Sequence, residues 1–185
     1  LSRLDDILAQ IETREANSTA RQPWNPAHCG DVDIRIASDG TWYHEGRPFQ
    51  REQLVKLFAS VLRREADGHY YLLTPAEKMR IQVDDAPFVA VQLEQIPEPE
   101  PSLLFTTNLG EQVVADADHP IRVEFDPATG EPRPYIHFRD NLDALINRSV
   151  YLELVELGEL FEQHGRRHLG VTSQGVRFDL GCIDE

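Results

Sequence analysis

The stretch DIRIASDGTWYHEGRPF, residues 33–49, decides the reading of the fold. Ile34 and Ile36 alternate with Asp33, Arg35 and Ala37, the period of a strand with one face buried. Asp39-Gly40 then marks a tight hairpin, because both central residues of a type I′ turn need positive φ. The return strand carries Trp42, Tyr43 and His44. Beyond it, Leu54, Val55, Leu57, Phe58, Val61 and Leu62 recur at helical spacing, so residues 51–65 read as a helix. After Asp67-Gly68 come HYYLLT and MRIQV, a second hairpin. The expected unit is hairpin, helix, hairpin.

The phrase is written a second time as PIRVEFDPATGEPRPYIHF, residues 120–138. Ile34-Arg35-Ile36 maps onto Ile121-Arg122-Val123, Thr74 onto Thr172 and Arg80 onto Arg177. The second helical region is expected over about residues 140–164, with Ser149 capping its later part. Two copies argue for duplication rather than a solenoid, which needs at least three repeats. The fold class expected is α+β, with an N-terminal module over 1–85 and a C-terminal module over 86–185. Apolar runs at 88–93, 103–105 and 113–114 add about three strands to the second module, with PEPEP as a long hairpin loop. Residues 2–14 read as a short amphipathic helix, and NSTARQPWNPAHCG after it as a loop.

Bulk properties narrow the function. The 185 residues carry 32 acidic and 18 basic side chains, a formal net charge of −14. That charge repels phosphate backbones and anionic lipid, so neither nucleic acid nor membrane is an expected partner. Cys29 and Cys182 are the two cysteines. They make no disulfide framework and suit a reducing compartment, most simply the cytoplasm. No apolar run approaches the roughly 20 residues that span a bilayer. The chain opens on Leu1 and its one methionine is Met79, so the natural start is expected upstream.

Several of these stretches together resemble the bacterial family called domain of unknown function 1285. The resemblance is carried by HCGDVDIRIASDGTWYHEGRPFQREQLVKLFASVLRRE at 28–65, YYLLTPAEKMRIQVDDAPFVAV at 70–91, DHPIRV at 118–123 and GVTSQGVRFDLG at 170–181. It implies a duplicated α+β core whose C-terminal half is like a pleckstrin-homology sheet with helix. It also implies a small non-peptide ligand bound where the halves meet, in signalling. It implies no activity and no residue roles.

Four arginines lead the candidate site residues. Arg35, Arg80, Arg122 and Arg177 each stand between apolar neighbours on expected strands, so each points away from the buried face. Guanidinium forks bind carboxylate or phosphate in a planar, bidentate way. The plain alternative is cross-strand pairing with Asp33, Glu124 and Asp179. Trp42 and Tyr135 are expected to supply stacking, and Lys78 and Asp84, from the polar run 77–85, to orient the ligand. Trp42-Tyr43 and Tyr70-Tyr71 must each present one ring to each face.

Catalytic patterns are weak. His28-Cys29 is better read as a loop before a turn at Gly30 than as a nucleophile with its base. Asp84 and Asp85 are adjacent, so on a strand they face opposite ways and do not share a proton. His164 and His168 have metal-ligand spacing, but Gly165 and two arginines between them favour a helix C-terminus. No cofactor or metal is expected, and a non-enzymatic role is favoured. The expected function is binding of a small anionic, non-peptide ligand between the modules. The alternatives are a protein-interaction module and an enzyme using Cys29 or a carboxylate.

Overall fold

The computed structural model describes residues 3–15 and 25–184. The chain divides into two compact units, Leu1–Ala37 with Thr41–Asp84, and Ser38–Gly40 with Asp85–Glu185. Among the described residues three helices stand against fifteen strands, so the protein is α+β and mostly β. Most of the expected loop at 17–30 lies outside the described residues. Its last three residues are not loop but the start of a strand, because they pair with a neighbour along their length.

Unit 1 opens with helix α1, Arg3–Glu15, which buries Ile7 and Ile11. Its sheet uses β1 (His28–Ile36), β2 (Trp42–His44), β3 (Arg47–Pro48), β4 (Leu62–Arg64), β5 (Tyr70–Leu73) and β6 (Glu77–Val83), with α2 (Glu52–Ser60) between β3 and β4. The strand order is β3-β2-β1-β6-β5-β4. Two antiparallel meanders are thus joined along one parallel seam, β1 against β6. Ile34, Ile36, Leu72 and Met79 are buried on one face. Trp42 and Phe58 stack on that side at 6.5 Å, and Phe49 meets Phe58 edge-on at 5.8 Å. Each such apolar side chain contributes about 1.5–3 kcal/mol by leaving water.

The helix expected over 51–65 ends early. Val61 closes it, and Leu62–Arg64 pair with Tyr70–Leu72 across the turn at Asp67-Gly68. Gly68 sits at φ +81°, where a side chain would be strained.

Unit 2 has the same strand order in its main sheet. β7 (Phe88–Ile96), β8 (Ser102–Thr107) and β9 (Gln112–Val114) form one meander; β10 (Ile121–Phe125), β11 (Pro132–Arg139) and β12 (Leu142–Ile146) form the other. The order β10-β11-β12-β7-β8-β9 again places the first and last strands side by side and parallel. PEPEP is the hairpin loop between β7 and β8, as expected. Helix α3 (Arg148–Leu157) follows, then a three-stranded sheet of β13 (Glu159–Gln163), β14 (Arg166–Ser173) and β15 (Val176–Cys182). α3 buries Val150 and Leu154 against β7 and β14. Ser173 fastens β14: its hydroxyl donates to the Ala115 carbonyl at 2.6 Å and accepts from the Leu103 amide at 2.9 Å.

Three expectations are corrected here. The region 140–164 holds one short helix flanked by strands, because Leu142, Ala144 and Ile146 alternate inward at the period of a strand. Asn147, not Ser149, caps α3, accepting from the Val150 amide at 2.9 Å. His164-Gly165 is a strand-to-strand turn, both residues at positive φ. The repeated phrase also marks non-equivalent strands. Arg35 lies on β1, a seam strand, whereas Arg122 lies on β10, an edge strand. Arg80 lies on β6 of a six-stranded sheet and Arg177 on β15 of the small one.

Candidate functional site

Residues directly opposite one another in a sheet project to the same side. In unit 1 the register puts Tyr43, Arg35 and Gln82 in one row. Asp31, Arg80, Tyr71 and Arg63 form the next. Cys29 and Lys78 form the third. The buried residues Ile34, Ile36, Met79 and Ile81 alternate with these, so the three rows share the face away from that core. Arg35, Lys78, Arg80 and Asp84, all expected site residues, come together here.

Their partners differ. Arg35 donates to Asp84 at 2.7 Å and lies over the Tyr43 ring at 5.0 Å. Asp84 thus takes the place expected of Asp33. Lys78 lies over the Tyr71 ring at 4.9 Å. The Tyr71 hydroxyl donates to Asp67 at 2.6 Å, and that bond is the main reason its pKa rises to about 12. Among the described residues Arg80 makes no ion pair, although Asp31 is its register neighbour. Cys29 is exposed, on a strand beside Lys78 instead of in the expected loop.

Trp42 departs from expectation. It is 2% exposed and packs in the core against Phe58, with its indole N–H unpartnered among the described residues. The alternation of the strand sends Trp42 inward and Tyr43 outward, so Tyr43 is the ring that accompanies the arginines.

A cleft of about 520 Å³ opens at the seam, lined by Asp31–Ile34, Gly68–Tyr70 and Arg80–Val83. It exists because β1 is irregular there. Asp31 pairs with Arg80 and Arg35 with Gln82, so Val32, Asp33 and Ile34 stand opposite Ile81 alone. The extra chain must bow out of the ladder. Asp31, Asp33, His69 and Gln82 were not among the expected site residues. The acidic alternation in DVD was visible in the sequence; the bulge that gathers it with Arg80 was not. A second cleft, between α1 and α2, is floored by Leu8, Leu54 and Leu57. Of the two cations in its lining, Arg51 and Lys56, the second is held by Glu52 at 2.7 Å.

Unit 2 holds the remaining expected residues. Arg122 lies over Tyr135 at 4.5 Å and donates to Glu124 at 3.0 Å and to Asp143 at 2.9 Å. Partial burial works against its charge, but these two carboxylates outweigh it and raise its pKa. Tyr135 donates to Asp85 at 2.7 Å; burial first, and then that bond, push its phenol pKa up. His137 lies 3.1 Å from the other oxygen of Asp143 and stacks on His119, which faces Asp116 at 2.9 Å. Arg177 is exposed, over Phe161 at 5.2 Å, on the small sheet and so on a different sheet from Arg122 and Tyr135. Among the described residues no group of three or more histidine, cysteine or carboxylate side chains is placed to hold a metal ion. None of their helices is long and apolar enough to cross a membrane.

These features define an α+β protein built on two six-stranded sheets of one strand order, with an arginine in a cleft of the first that makes no ion pair among the described residues. The chain belongs to the DUF1285 family: the N-terminal domain of unknown function matches residues 21–86, and the C-terminal domain of the protein of unknown function matches 87–180. A DUF1285 family protein from Silicibacter pomeroyi DSS-3 is 44% identical, with a TM-score of 0.82 over 96% of this chain and 95% of that one. Another, from Shewanella baltica OS155, is 28% identical, with a TM-score of 0.52 over 66% of this chain and 90% of that one. No curated protein matches the chain.

Proposed function

We propose that the protein binds a small, non-peptide ligand through an anionic group, and that unit 1 carries the site. The observation that carries this reading is Arg80, an exposed guanidinium lining the seam cleft without an ion pair among the described residues. Arg35 and Lys78 extend the positive field on the same face, each over a tyrosine ring. In a chain of net charge −14, such a cluster stands out from its background. The two exposed, free cysteines suit a cytoplasmic setting, and the charge disfavours nucleic acid and anionic membranes as partners. A role in signalling and a pleckstrin-homology-like second unit belong to the same proposal. The latter draws on the two contacting sheets and single helix of unit 2.

The test is thermal unfolding against inorganic phosphate, pyrophosphate, nucleotides, di- and tricarboxylates and amino acids, with Arg80→Ala alongside. A ligand at about 100 times its dissociation constant stabilises by roughly 2.7 kcal/mol. That stabilisation should vanish in the variant; no shift across the panel removes the reading.

A second reading, a protein-interaction module, is favoured by β13. It is an edge strand with Leu160 61% exposed. It predicts a partner protein bound through β13 rather than a small molecule: Leu160→Lys should abolish association and leave ligand shifts unchanged.

A further inference from the structure

The seam cleft holds both signs of charge, and they are not spent on each other. Asp31 and Arg80 are neighbours across the parallel seam, where opposite charges ordinarily close into a pair. Neither makes an ion pair among the described residues, nor does Asp33. All three line the cleft, with His69 and Gln82 beside them. Two aspartates stand beside the one arginine of its lining, so within the cleft a simple anion meets repulsion as well as attraction. A neutral molecule with separated charges meets no such repulsion.

Resting on the reading that Arg80 receives an anionic group, we propose that this cleft takes an amino-acid-like zwitterion. Its carboxylate or phosphate lies on the Arg80 guanidinium and its ammonium on Asp31 and Asp33. The fork of Arg80 suits a planar carboxylate, and the aspartates supply acceptor oxygens that an ammonium group satisfies. The bowed segment Val32–Ile34 adds backbone groups no longer engaged by the ladder to β6. At about 520 Å³ the cleft accommodates more than the charged head, so the remainder of the ligand lies along the Gly68–Tyr70 wall.

Calorimetric titration of the full chain tests this. The probes are free α-amino acids and phosphoethanolamine, each matched with its N-acetyl form, which keeps only the anion, and the amino acids also with their amides, which keep only the cation. At least one zwitterion should bind, and its N-acetyl and amide forms should bind about tenfold more weakly or worse, as when one partner of a charge pair is removed. Asp33→Asn and Arg80→Gln should each cost a similar factor. Both positions are exposed, and unchanged circular dichroism confirms that the variants fold. Phosphoethanolamine binding more tightly than every amino acid assigns the anionic end to phosphate; the reverse assigns it to carboxylate. N-acetyl forms binding as well as the zwitterions, with loss in Arg80→Gln, would overturn the zwitterion and leave the anion site standing. No binding by any probe removes the zwitterion; binding indifferent to Arg80→Gln removes both.

Discussion

The two large sheets share a strand order and differ at the seam. In unit 2, Ala144, Leu145 and Ile146 pair with Phe88, Val89 and Ala90 in unbroken register. Phe88, Ala90, Ala144 and Ile146 are buried, and α3 packs on β7. In unit 1 the equivalent seam is bulged, and Asp31, Asp33, Arg80 and Gln82 line the opening. One topology therefore serves two ends. An apolar, regular seam is a core element; a charged, bulged seam gives up ladder contacts and leaves polar groups for something else.

The contrast breaks first if the apolar seam proves expendable. Phe88 is 0% exposed and meets Phe138 at 4.9 Å, so Phe88→Ala should cost about 3–5 kcal/mol in urea unfolding. Gln82→Ala, on the other seam, should stay within about 0.5 kcal/mol. Next in size is Asn147, which caps α3 beside the closed seam. Asn147→Ala should cost about 1 kcal/mol, with Asn147→Asp retaining most of it.

The two arginine–tyrosine devices sharpen the comparison further. Arg35 over Tyr43 and Arg122 over Tyr135 are both cross-strand pairs with an aspartate beyond. The Asp143 side chain is 16% exposed against 28% for Asp84. Double-mutant cycles should therefore give a larger coupling for Arg122–Asp143 than for Arg35–Asp84. Both should stay below about 1 kcal/mol and shrink in salt.

The phenols distinguish the two units only at alkaline pH. Tyr71 in unit 1 is pushed up to about 12, chiefly by its bond to Asp67, and Tyr135 in unit 2 is raised chiefly by burial. A phenol whose pKa is raised on folding contributes stability that is complete below about pH 10. For Tyr71 that contribution is lost as pH rises from there through 12. Absorbance titration should show late-ionising tyrosines, and Asp67→Asn should bring Tyr71 back toward 10 while leaving Tyr135 late.

Much of unit 1 was legible because its signals are local. Alternation placed Ile34 and Ile36 inward and Arg35 outward, and the paired rings Trp42-Tyr43 split between faces as strand geometry demands. The error of assigning Trp42 to the site came from judging the residue type before its side of the strand. The helix was overrun because Val61 and Leu62 continue the apolar stripe of α2; only pairing with β5 reveals the break. The seam was not legible at all. No turn links β1 to β6, so nothing near either strand sets their register, and a bulge leaves no mark on hydrophobic period. The repeat was read from I-R-[IV], whereas the repetition in space is of strand order, with Arg35 and Arg122 on unlike strands.

The seam has a kinetic consequence. Each meander of unit 1 closes between neighbours in sequence, but β1 meets β6 only when the first and last strands of the unit's sequence come together. Such non-local pairing forms late in folding and is favoured to open early. During synthesis the cleft does not exist until Glu77–Val83 has emerged, since that strand is one of its walls. A molecule lodged there bridges the first strand and the last, and so acts as a clasp on the finished sheet that slows the opening of unit 1.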